Sequence, residues 1–116
     1  MSDISIYHNP RCSKSRQTLA LLEEQGIQAE VIEYLKTPPT VASLTTILSQ
    51  LGIPARQLLR KGEAIYKELN LKDDSLNDDQ LIQAMCDNPK LIERPIVINN
   101  GQAKIGRPPE SVLEIL

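Results

Sequence analysis

One cysteine, Cys12, lies in the segment HNPRCSKSR, residues 8–16. Arg11, Ser13, Lys14, Ser15 and Arg16 around it are all polar or basic. A free thiol with its usual pKa near about 8.5 is only a few per cent ionised at neutral pH. Positive neighbours and the start of a helix both favour the thiolate, which is the nucleophile. A dithiol redox pair would need a second cysteine at position 15, where Ser15 stands. Cys12 therefore reads as a lone reactive thiol rather than a small buried hydrophobe. The other cysteine, Cys86, ends the apolar run LIQAMC and reads as packing.

His8 is the only histidine and sits on the same loop as Cys12. It could tune the thiol, or it could be a surface residue. One histidine with one cysteine is a poor ligand set, so no bound metal is expected. Three arginines stand at element boundaries: Arg60 in LLRKGE, Arg94 in ERPIV and Arg107 in IGRPPE. Planar guanidinium forks suit tetrahedral oxyanions. Spacing alone leaves open that the three are ordinary surface arginines.

These residues need elements to hold them. DISIY alternates apolar and polar residues and reads as a strand near 3–7. A helix is expected from Cys12 to Gln25, with Ser15, Leu19 and Leu22 on one face and a stop at Gly26. A strand near 29–34 completes a βαβ unit. Thr40 is a candidate N-cap for a helix with Val41, Leu44, Ile47, Leu48 and Leu51 on one face. Pro54 opens a short helix, and KGEAIYKEL reads as another. Asn77 and Gln80 resemble a capping box before LIQAMC. Strands at 96–99 and 102–105 flank the hairpin signal Asn99-Asn100-Gly101, and RPPESVLEIL closes as a helix. The expected fold is α/β and thioredoxin-like: a four-stranded mixed sheet with a helical insertion at about 40–92 between the βαβ and ββα halves. In that fold Pro95 would be the cis proline. Residues 1–116 are expected to form a single domain.

The chain has 116 residues, 41% of them hydrophobic, and a formal charge of −2. It lacks Phe and Trp, so aromatic base-stacking platforms and a general affinity for nucleic acid are not expected. No signal peptide or membrane-spanning segment is expected, and the cysteine usage suits the reducing cytoplasm.

Taken together, these segments resemble the glutaredoxin-coupled arsenate reductase family. YHNPRCSKSRQTLALLEEQG is similar to that family's active-site segment, and LLRKGE, ERPIV and IGRPPE follow as its three arginine segments in order. One departure is Ser13-Lys14, where such reductases usually have Gly-Thr. The resemblance implies an enzyme that reduces arsenate, or a similar oxyanion, to arsenite. It implies that Cys12 is the nucleophile, that His8 and Ser15 lower its pKa, and that Arg60, Arg94 and Arg107 hold the oxyanion. It further implies glutathione as co-substrate, glutaredoxin as partner, no bound cofactor and a monomer. Two alternatives stand beside it. One is a glutathione-dependent thiol oxidoreductase of the same fold acting on another substrate. The other is a non-enzymatic Spx-like redox regulator, although such proteins typically carry a Cys-x-x-Cys switch.

Overall fold

The computed structural model describes residues 4–116. The expected first strand began at Asp3, which lies outside them. Two compact units divide the chain: one runs to Thr37 and resumes at Arg94, and the other is Pro38–Glu93.

In the first unit, β1 (Ile4–Tyr7) leads to α1 (Ser13–Glu24) and returns as β2 (Glu30–Ile32). β3 (Ile96–Asn99) and β4 (Gln102–Ile105) follow, then a 3-10 helix at Pro109–Ile115. The four strands form one sheet in the order β2-β1-β3-β4. β1 is parallel to β2, with Ile6 beside Val31, and antiparallel to β3, with Ile6 beside Val97. This is the mixed four-stranded sheet expected from the βαβ and ββα order. Asn100 and Gly101 both adopt positive φ, 50° and 80°, as a two-residue turn with right-handed twist requires.

Burial explains why α1 lies on this sheet. Ile6, Leu22, Val97, Val112 and Ile115 form one buried cluster, with Leu19 packed at its edge. Each fully buried aliphatic side chain contributes about 1.5–3 kcal/mol. The helix then stops at Gly26, whose φ of 76° is left-handed. The Gly26 and Ile27 amides donate to the Glu23 and Leu22 carbonyls at 2.9 and 3.0 Å, which satisfies the helix end.

Two expectations for this unit need correction. β2 is shorter than 29–34, because the chain turns at once: the Lys36 and Thr37 amides both donate to the Glu33 carbonyl. The closing segment is a 3-10 helix, not an α-helix. Pro108 and Pro109 supply no N–H, and the Ser111 amide closes a tight i to i−3 turn on Pro108.

The second unit is helical: α2 (Val41–Leu51), α3 (Ala55–Leu58), α4 (Ala64–Glu68), α5 (Asp78–Asp87) and a 3-10 turn at Pro89–Leu91. Thr40 caps α2 by accepting the Ser43 amide. Asn77 and Gln80 form a reciprocal capping box, both bonds 2.9 Å. Leu44, Ile47 and Leu48 are buried as expected, whereas Val41 is 39% exposed at the first turn. Pro54 stands at the N-cap of α3 rather than inside it. Among the described residues no helix is long and apolar enough to cross a membrane.

Leu22 anchors α1, and so Cys12, to the sheet. Leu22→Ala is expected to lower the unfolding free energy by about 2–5 kcal/mol, read from urea denaturation. A loss below about 1 kcal/mol would show that α1 is held by something else.

Candidate active site

The loop after β1 is shaped by Asn9. Its side-chain Oδ1 accepts the Arg11 amide and its carbonyl accepts the Cys12 amide, both at 3.0 Å. This turn delivers Cys12 to the N-cap of α1 in an extended conformation, φ −95° and ψ 124°. No side chain caps the helix there. The Arg16 amide makes the first helical bond, to the Cys12 carbonyl at 3.0 Å. The Ser13, Lys14 and Ser15 amides thus have no intrahelical acceptor, and they give the helix start at Cys12 a partial positive charge. Cys12 is a free thiol and only 8% exposed.

Arg107 arrives from the other end of the chain. Its Nη2 lies 3.7 Å from Cys12 Sγ, and its Nε donates to the Arg94 carbonyl at 2.8 Å. The Arg94-Pro95 peptide is cis, as expected of the thioredoxin fold, and Arg107-Pro108 is cis as well. The Arg94 carbonyl therefore orients the guanidinium that meets the thiol. Charge-assisted contacts of this kind favour an anionic partner.

His8 and Ser15 meet each other rather than the sulfur. His8 Nδ1 lies 2.7 Å from Ser15 Oγ, and both side chains are buried. Ser15 Oγ also accepts the Asn9 amide at 3.0 Å. Burial pushes the His8 pKa below its usual 6.5, and the Glu33 carboxylate offsets part of that. His8 is therefore neutral at pH 7, and the added positive charge that a protonated ring would supply is absent there. A neutral ring fits this network by accepting the Ser15 hydroxyl proton at Nδ1, which holds the first turn of α1 against the loop.

Arg60 belongs to the helical unit. Its guanidinium pairs with Glu63 at 3.3 Å and Glu93 at 3.6 Å. Cys86 is half-buried in α5, and burial, then the nearby Asp87, raises its pKa. Such a thiol stays protonated and slow to react. The structure thus brings Cys12 and Arg107 together, with Arg94 behind, and pairs His8 with Ser15. Asn9 was not singled out from sequence, although Asn-Pro is a turn signal. Gly106, which precedes Arg107, and Thr18, which abuts Gly106, lie within the quoted segments but were not singled out.

The ArsC family model matches residues 7–115. The chain belongs to the ArsC family. An arsenate reductase of Neisseria meningitidis is 50% identical over the full length of both chains. The uncharacterised protein YfgD of Escherichia coli K12 is 61% identical over 97% of this chain and 96% of its own. The solved arsenate reductase from Vibrio cholerae superposes with a TM-score of 0.96 at 60% identity, covering 97% of each chain. These ArsC relatives share the whole length of the fold, so both units belong to the family pattern.

The lowered His8 pKa has a sign that can be tested. Unfolded, the ring takes up a proton near pH 6.5; folded, it does so only at lower pH. The unfolded state therefore binds more protons, and stability falls as pH drops below about 6.5. His8→Gln should lose that part of the slope between pH 7.5 and 5.5 in urea titrations. An unchanged slope would mean that His8 titrates alike in both states.

Proposed function

We propose that the chain reduces arsenate to arsenite, with glutathione as co-substrate and glutaredoxin as partner, through the Cys12 thiolate. The observation that carries this reading is Arg107 Nη2 at 3.7 Å from Cys12 Sγ, at a helix start whose first amides are uncapped. A negative sulfur and a bound oxyanion both gain from that field. The ArsC relatives named arsenate reductase support arsenate as the oxyanion. Arg94 and Arg107 are assigned to the oxyanion; the same role for Arg60 rests on the sequence resemblance. His8 and Ser15 are assigned to thiol activation through the first turn of α1.

On this reading the thiolate attacks arsenic and water or hydroxide leaves, forming a sulfur–arsenic(V) bond. A glutathione thiolate then attacks the Cys12 sulfur. The sulfur–arsenic bond breaks with its electron pair left on arsenic, which falls from +5 to +3 and departs as arsenite. The two thiols are oxidised together to a Cys12–glutathione disulfide. A glutaredoxin thiolate attacks the glutathione sulfur of that disulfide and Cys12 leaves as thiolate. Ser15 can stand where a resolving cysteine would be, because the second thiol comes from outside. These steps call on no bound cofactor, and they suit the reducing cytoplasm.

Arsenite formation with glutathione and glutaredoxin is the test. Activity should need both thiol partners, fall to background in Cys12→Ser and persist in Cys86→Ser. Arg107→Ala should cost on the order of 2–4 kcal/mol in kcat/KM. Loss of activity in a folded Cys86→Ser protein would move the mechanism to an internal disulfide. A reactive Cys12 with no arsenate turnover would move the substrate to another oxidised group, with Ser13-Lys14 the first place to look.

A further inference from the structure

Arg107 follows a glycine that has almost no room for anything else. Gly106 is buried, and its amide donates to the Pro95 carbonyl at 2.9 Å. A methyl group built on it would lie 2.5 Å from Thr18 Oγ1, 2.8 Å from Pro95 Cγ and 3.1 Å from Thr18 Cγ2. Carbon atoms rest about 3.5–4.0 Å apart, so the approaches to Thr18 Oγ1 and Pro95 Cγ are collisions and that to Thr18 Cγ2 is tight. Gly106 is not among the positive-φ residues, so the demand is for space, not for backbone freedom.

Thr18 is a wall that cannot swing aside. It is fully buried, and its Oγ1 donates to the Lys14 carbonyl at 2.8 Å, which fixes its rotamer within α1. The contacts close a ring. Cys12 starts α1, α1 carries Thr18, Thr18 abuts Gly106, and Gly106 leads into Arg107, whose guanidinium returns to Cys12. The distance from that guanidinium to the sulfur depends on how closely β4's end can approach α1.

We propose that Gly106 and Thr18 are positioning residues that set Arg107 against the Cys12 sulfur. This rests on the reading of Cys12 as nucleophile with Arg107 as its charge partner. A glycine needed only for folding would change stability and leave the thiol alone. A positioning pair changes the reactivity of Cys12 in protein that is fully folded.

The test is the rate of Cys12 alkylation by iodoacetamide between pH 5.5 and 9, followed by mass spectrometry, with circular dichroism to confirm folding. No arsenate enters it. Arg107→Ala is expected to slow alkylation at pH 6.5 by about tenfold, the effect of losing one close positive charge. Gly106→Ala should approach the same loss, and Thr18→Ala, which removes the wall, should slow the reaction about threefold or more. The double variant Gly106→Ala with Thr18→Ala removes the collision with Thr18 Oγ1 and leaves the one with Pro95 Cγ. It should react faster than Gly106→Ala, and the midpoint of its pH profile should return part of the way toward wild type. If Arg107→Ala reacts like wild type, the reading of the site fails and the positioning role with it. If Arg107→Ala is slow while folded Gly106→Ala or Thr18→Ala reacts like wild type, the positioning role alone is overturned. Should Gly106→Ala not fold, Thr18→Ala decides: a folded Thr18→Ala that reacts like wild type overturns the proposal.

Discussion

The contact between the Arg107 guanidinium and the Cys12 sulfur joins residues 95 positions apart, and most of the sheet unit serves to hold it. β1 ends at Tyr7 opposite Ile96, so the loop carrying Cys12 and the cis bond before Pro95 leave the sheet at the same end of its two central strands. β4 runs back antiparallel to β3, with Ile105 beside Ile96, and returns the chain to Pro95. From there Gly106 pairs with the Pro95 carbonyl and Arg107 with the Arg94 carbonyl. A shift of β3 by one residue would turn Val97 out of the core and carry Arg94 away from the loop. The register that buries Ile6 against Val97 is thus the register that seats the guanidinium.

His8 contributes through structure rather than charge. A protonated ring beside the thiol would be the simplest way to favour a thiolate. Burial instead keeps the ring neutral, and its partner is Ser15, not Cys12. Ser15 is the buried residue of the first turn of α1 and also takes the Asn9 amide. The network fixes the angle at which the uncapped helix start meets the loop. Positive potential at the sulfur is then left to backbone dipoles and Arg107. Buried networks that are fully bonded rigidify a site in this way, and a single missing partner is costly.

Much of this could be read from the chain. The polar setting of Cys12, the Asn100-Gly101 turn and the Asn77–Gln80 capping box each follow from local chemistry that operates within a few residues, whereas the cis Pro95 was expected from the fold. Arg94 and Arg107 stood out only as arginines at boundaries; the contact that joins Arg107 to Cys12 is made by strand pairing. The departures share one cause. β2 shortens because of a turn at Glu33, and the last segment tightens to a 3-10 helix because of its prolines. In both, a local backbone hydrogen bond overrides a pattern of apolar residues. Gly106 was silent for a different reason: its constraint comes from Thr18 and Pro95, neither of which is a sequence neighbour.

The most direct test of the central claim, that Cys12 works alone with an external thiol, is to catch its oxidised form. The protein would be mixed with arsenate and glutathione, without glutaredoxin, quenched with acid and digested. Mass spectrometry of the peptide containing Cys12 should then show one attached glutathione, with Cys86 unmodified, and arsenite formed in equal amount. A Cys12–Cys86 disulfide, or arsenite formed while Cys12 stays a free thiol, would contradict the account.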